Sequence, residues 1–100
     1  MPTIEEIKAV VSELGEKYGA ESIYLFGSFA RGEQNEKSDI DLRINLGDIK
    51  SLFVLGGLYT DLNNKLGRNI DINTTEGLEE KFLNHIAKGE ILLYARNWKR

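Results

Sequence analysis

Apolar residues recur every three or four positions at the start of the chain, at Ile4, Ile7, Val11, Leu14 and Tyr18. That spacing predicts an amphipathic helix with one buried face. Thr3 followed by Glu6 supplies a capping box at its start, and Gly19 supplies the stop. The next run, SIYLF at residues 22–26, is short, almost wholly apolar and closed by Gly27, which suits a buried strand. Residues 39–46, DIDLRINL, alternate strictly: Asp39, Asp41, Arg43 and Asn45 share one face, and Ile40, Leu42, Ile44 and Leu46 share the other. Helical spacing returns at Leu52, Leu55, Tyr59, Leu62 and Leu66 up to Gly67, with Gly56-Gly57 as a weak point in the middle. Residues 68–73, RNIDIN, alternate again, and Asp71 falls on the polar face. A last helix is expected around residues 77–88, ending at Gly89. EILLY at 90–94 reads either as a short strand or as a continuation of that helical region. This order of elements predicts one domain over residues 1–100, of α+β or mixed α/β class, with a small mixed sheet flanked by helices.

Composition narrows the chemistry. One hundred residues, 41% apolar and 29% charged, fit one soluble globular domain that buries roughly 60–70% of its unfolded surface. No window approaches ~20 consecutive apolar residues, and the acidic start MPTIEEIKAVV is unlike a basic leader, so a cytoplasmic protein with no membrane association is expected. The absence of cysteine removes disulfides and thiolate metal sites. With a single histidine, any metal would be held mainly by oxygen, which favours hard cations such as magnesium. A net charge of −3 disfavours nucleic acid as a partner.

Asp39 and Asp41, two apart on a strand, project from one face roughly 6–7 Å apart and can converge on divalent cations. If the strand containing Asp71 lies alongside, a third carboxylate joins them. Three carboxylates around paired metals can clamp the attacking and leaving oxygens of a phosphoryl or nucleotidyl displacement, the third serving as general base. Gly27-Ser28, after a buried strand and before a possible turn of helix, offers close backbone approach and a hydroxyl for the β- and γ-phosphates of a nucleotide. Arg31, Lys37 or Ser38 could help neutralise them. GSFARG lacks the Gly-Lys-Ser/Thr end of a P-loop, no G-x-G-x-x-G occurs, and DIDLRI lacks the ligands and glycine of a calcium loop.

Gly27-Ser28, ten intervening residues containing Arg31-Gly32, and then Asp39-Ile40-Asp41 resemble the signature of the DNA polymerase β-like nucleotidyltransferase superfamily. Composition alone would produce that pattern on the order of once in ten million starting positions. In length, in LGRNIDI before the last helix and in KGEILLY, the chain is similar to the minimal nucleotidyltransferase subfamily, usually encoded as the antitoxin of a HEPN-type ribonuclease toxin. The resemblance implies a polymerase β-like fold, dependence on magnesium and ATP, and transfer of AMP to a tyrosine hydroxyl of the cognate toxin. It also implies that Gly27 and Ser28 contact the triphosphate, Asp39 and Asp41 bind metal, and Asp71 is the third carboxylate. Two other functions compete: a module that neutralises a toxin by contact alone, and nucleotidyl transfer to a small-molecule hydroxyl.

Some residues carry simpler expectations. Arg31 could pair with Glu33 or Glu36 on the surface instead of meeting phosphate. His85 is expected to be a partly buried helix residue. Arg43 and Asn45 stand where relatives often have apolar residues, so the lower part of that sheet face is expected to be wetter or covered by a partner. Gly56-Gly57 marks either close packing or a weak spot, and the tail ARNWKR either a frayed end or a docking segment.

Overall fold

The computed structural model describes residues 1–97. In chain order its elements are α1 (Ile4–Tyr18), β1 (Ser22–Phe26), α2 (Gly27–Arg31), β2 (Ile40–Asn45), α3 (Leu52–Leu66), β3 (Ile70–Thr74), a 3-10 turn (Thr75–Gly77), α4 (Glu80–Ala87) and β4 (Ile91–Ala95). The four strands form one sheet in the order β3-β2-β1-β4. β1 runs antiparallel to both β2 and β4, whereas β2 and β3 are parallel. The fold is therefore α+β with a small mixed sheet, and EILLY supplies a strand. Parallel neighbours need a crossover of a dozen residues or more. The helical run at 52–66, set between two alternating runs, provides it.

Local sequence signals are satisfied where they were strongest. Thr3 Oγ1 accepts the Glu6 amide at 3.1 Å while Glu6 Oε1 accepts the Thr3 amide at 3.0 Å, which closes the capping box. α1 and α3 pack on one face of the sheet over Ile23, Leu25, Ile40, Leu42 and Ile44, all almost fully buried. Each such side chain contributes about 1.5–3 kcal/mol on burial. α4 lies against the opposite face, where the Phe82 ring meets Phe26 edge-on at 6.0 Å between centroids and Ile86 is buried. Among the described residues no helix is long and apolar enough to cross a membrane.

Three expectations are corrected. The buried stripe of α3 is centred on Leu58 and Leu62, with Leu55 and Leu66 beside them, whereas Leu52 is 85% exposed and Tyr59 stands partly in solvent. Simple counting placed Leu52 and Tyr59 on the core face; the crossover sets the rotation of the helix, and it turns them to the edge. Asp39 precedes β2 instead of lying within it. Finally, the face beside Arg43 and Asn45 is covered by the chain itself. Arg43 makes a two-pronged ion pair with Glu90 at 2.6 and 2.9 Å, donates to Thr75 Oγ1 at 2.7 Å and lies 4.2 Å above the centre of the Tyr24 ring. Asn45 donates to Ser22 Oγ at 2.7 Å.

The Gly56-Gly57 pair divides. Gly57 packs against the Tyr18 ring, where a Cβ would press on the phenol, whereas Gly56 faces open space. In the tail, Arg96 pairs with Asp48 at 3.0 Å, and residues 98–100 lie outside the described residues.

Candidate functional site

The strand order brings three chain segments together at one end of the sheet. Phe26, the last residue of β1, sits opposite Asp41 on β2, and Asp41 in turn sits opposite Asp71 on β3. Register partners on adjacent strands share a face at a spacing of about 4.8 Å. The Asp41 and Asp71 carboxylates are thus side by side, and the charge of Asp71 is felt at Asp41. Asp39 approaches from the segment leading into β2, and its charge is also felt at Asp41.

Asp41 is half-buried, while Asp39 and Asp71 are exposed. Burial, followed by the charges of Asp71 and Asp39, pushes the Asp41 pKa up to about 6, and the Arg31 guanidinium works in the opposite direction. Like charges crowded in a partly desolvated place raise the free energy of the ionised state. A positively charged ligand would relieve that cost. Among the described residues no three carboxylate or imidazole groups are drawn tightly enough to form a finished metal cage. The pre-formed unit is the Asp41–Asp71 pair, with Asp39 beside it.

Gly27 is fixed here by two independent constraints. Its φ of +75° is a conformation that L side chains rarely adopt, and a Cβ built on it would collide with the Asp41 carboxylate. Glycine therefore lets the turn close against the acidic group. The short helix α2 starts at this glycine, and Phe26 before it has no side chain able to cap the first amides. Ser28 is half-buried as the second residue of that turn. Arg31, at its end, pairs with Glu33 at 2.8 Å with both side chains largely in solvent. An exposed pair of this kind is weak and easily exchanged.

Ser38 is tied into the loop before β2. Its hydroxyl accepts the Asn35 amide at 2.9 Å, which ties the loop between α2 and β2 into a turn. Lys37 contributes its own amide to the Asn35 side chain at 2.8 Å. Arg68 holds the same loop, donating through one nitrogen to the carbonyls of Asn35, Glu36 and Ser38 at 3.1, 3.0 and 2.8 Å. Its guanidinium stands 5.6 Å from the centre of the Phe29 ring. This positioning residue escaped the sequence reading because nothing in local periodicity marks a cation that reaches back thirty residues. His85 is exposed, not partly buried: Phe82 and Ile86, one turn apart, take the sheet-facing side of α4.

The Polymerase beta, Nucleotidyltransferase family matches residues 5–99. The chain is 37% identical over 76 residues to the protein adenylyltransferase MntA of Thermococcus cleftensis, spanning 72% of this chain and 77% of that one. A solved structure of a candidate minimal nucleotidyltransferase superposes with a TM-score of 0.77 at 30% identity, covering 90% of this chain and 95% of the other. The fold also matches, at 16% identity and a TM-score of 0.70, a complex of a tri-AMPylated Shewanella oneidensis HEPN toxin with its MNT antitoxin, over 97% of this chain and 76% of that one. With the family matched over almost the whole chain and the fold shared with these proteins, the chain belongs to the polymerase beta nucleotidyltransferase family, in its minimal nucleotidyltransferase branch.

Proposed function

We propose that the protein transfers AMP from ATP, with magnesium, to a tyrosine hydroxyl of a HEPN-type ribonuclease toxin and so acts as its antitoxin. The observation that carries this reading is the in-register placement of Asp41 and Asp71 on parallel strands, with the Gly27 turn closed against Asp41. The donor set fits a hard cation: it is all oxygen and like-charged, and burial followed by the charges of Asp71 and Asp39 pushes Asp41 up to about 6. Asp39, Asp41 and Asp71 would hold magnesium, which when bound supplies positive charge against the triphosphate.

The chain's own residues then have separate roles. The Gly27–Ser28 turn binds the triphosphate through its uncapped amides and the serine hydroxyl. Asp71, the exposed member of the pair, accepts the proton of the acceptor hydroxyl. That oxygen forms a bond to the α-phosphorus while the bond from the α-phosphorus to the bridging oxygen breaks. The bond's electron pair leaves on pyrophosphate. Half-buried Asp41 holds the geometry between β1 and β3. The adenylyltransferase activity named for the Thermococcus relative, and the AMPylated toxin bound to the Shewanella relative, support the acceptor.

The test is transfer of radioactive label from α-labelled ATP, with magnesium, to a HEPN-type protein encoded beside this chain. Label on a tyrosine of that partner is expected, and its absence with the wild-type chain overturns the reading. Neutralisation by contact alone has one observation in its favour, the exposure of Leu52 and Phe53 at 85% and 91% at the start of α3. Asp41→Asn separates the two: a variant that still binds the toxin but no longer silences it supports transfer, and unchanged silencing supports contact.

A further inference from the structure

The start of α3 leaves two large apolar side chains in water. Leu52 is 85% and Phe53 91% exposed, whereas Leu55, Leu58, Leu62 and Leu66 of the same helix are buried in the core or packed against it. Beside the exposed pair runs a groove of about 710 Å³, lined also by Tyr18, Gly56, Gly57, Thr60 and Asp61. Leu52 borders a second, smaller groove of about 290 Å³ that reaches Leu46 and Ile49. Glycine weakens a helix interior relative to alanine, and nothing within the chain lies close enough to Gly56 to require one there. A patch of large exposed apolar side chains beside a groove marks an interaction surface.

One surface thus carries both a projecting ring and a groove floored by glycines. A two-fold interface needs that combination, because each copy offers the same patch and receives it. With α3 packed antiparallel on α3 of a second copy and the axis near Gly56, Phe53 of each chain falls on the Gly57–Thr60 turn of the other. Charge agrees with this pairing. The first turn of α3 holds no acidic residue, and exposed Lys50 just before it has no ion-pair partner among the described residues. Asp61 stands at the other end of the groove, and antiparallel packing sets it against the positive end of the facing helix and its Lys50. Area agrees as well. Two Phe53 rings bury roughly 300–500 Å² of the ~1,200 Å² that a stable interface requires. The walls they cover lose a similar area, and the two Leu52 side chains make up most of the rest.

We propose that the start of α3 is the contact through which two copies of this chain form a symmetric dimer. Topology keeps this contact clear of the acidic site. β2 and β3 both begin at the aspartate end of the sheet, and α3 runs back over the sheet from the far end of β2. Its first turn and the Asp41–Asp71 pair therefore lie at opposite ends of the sheet, roughly 20 Å apart for a helix of 15 residues. A protein delivering a hydroxyl to Asp71 has no need of this patch, whereas a dimer formed here keeps both acidic sites open to solvent. The contact is independent of the nucleotidyl-transfer reading, and either stands without the other.

The test is sedimentation equilibrium of the full chain. Wild type is expected at twice the 11.3 kDa of one chain, with a dissociation constant on the order of micromolar. Phe53→Asp should weaken association by about thirtyfold or more. Because the ring stands in solvent, circular dichroism and melting temperature of that variant should be unchanged at concentrations where both proteins are monomeric. A second route uses the lack of cysteine in the chain: Gly56→Cys introduces one thiol, at a position where a Cβ meets nothing within the chain. Mild oxidation should link Gly56→Cys chains about tenfold faster than chains carrying Glu80→Cys, on the exposed start of α4. A wild type that stays monomeric at millimolar concentration, a dimer that Phe53→Asp leaves intact, or equal rates of linkage at positions 56 and 80 would each overturn the proposal. So would a monomeric wild type that binds a HEPN-type protein and loses it on Phe53→Asp, which would give the patch to that partner.

Discussion

The outer face of β2 carries two regions built from the same strand and facing the same way. Toward its end, Arg43 and Asn45 are fully engaged: Glu90, Thr75 and Tyr24 surround the arginine, and Ser22 accepts from the asparagine. At its start, Asp41 is surrounded by Asp71 and Asp39, with Arg31 as a partial counterweight. One region satisfies its charges within the chain. The other concentrates like charge in a half-buried place, a cost that folding alone does not justify and that ligand binding would relieve. The contrast separates structural polar residues from functional ones on one strand.

That contrast can be broken from either side. The largest effect is expected from Asp41→Asn, which should lower label transfer by about a thousandfold or more while leaving the circular dichroism of the fold unchanged. Glu90→Ala attacks the satisfied region. It leaves the Arg43 guanidinium enclosed without its carboxylate and should cost about 3 kcal/mol in urea unfolding, with any loss of transfer following from loss of fold. Gly27→Ala strikes the boundary: a left-handed backbone and a clash with Asp41 should together cost about 1–3 kcal/mol. Because the carboxylate itself must move, transfer should fall by more than that stability loss explains.

The titration of Asp41 sharpens the comparison in the metal-free protein. Its folded pKa, about 6, lies above the ordinary value of 3.8, so the folded state favours the protonated group. The corresponding stability is present below about pH 4 and is lost as pH rises through about 6. Solvent around a half-exposed group limits the effect to about 1 kcal/mol. Melting in EDTA should therefore show Asp41→Asn gaining on wild type between pH 4 and pH 7, and magnesium should narrow the gap. The smallest effect is expected far from both regions. Removing the exposed Lys65–Glu13 pair with Glu13→Gln should produce no measurable change in melting temperature or transfer.

The chain's alternating and helical runs were sufficient to locate α1, β2, α3 and β3, because periodicity of two or near four reports directly which side chains must leave water, and the short apolar run closed by Gly27 located β1. The glycine turn and aspartate pair were equally visible, since their meaning lies in fixed short spacings. The rotation of α3 was not, because Leu52 and Leu58 are both apolar and only the packed sheet selects between them.

What the sequence determined by itself was local: residue types, their period, the capped helix start and the motif at residues 27–41. Tertiary structure alone decided the pairings between distant segments. It set Asp71 opposite Asp41, closed Glu90 onto Arg43, carried Arg68 back to the loop before β2 and brought Lys88 beside Gly27. The physical reason is that strand register and order arise from burying one shared apolar face. Polar residues on the opposite face are placed together as a consequence of that burial, and no local pattern in the chain records which of them will meet.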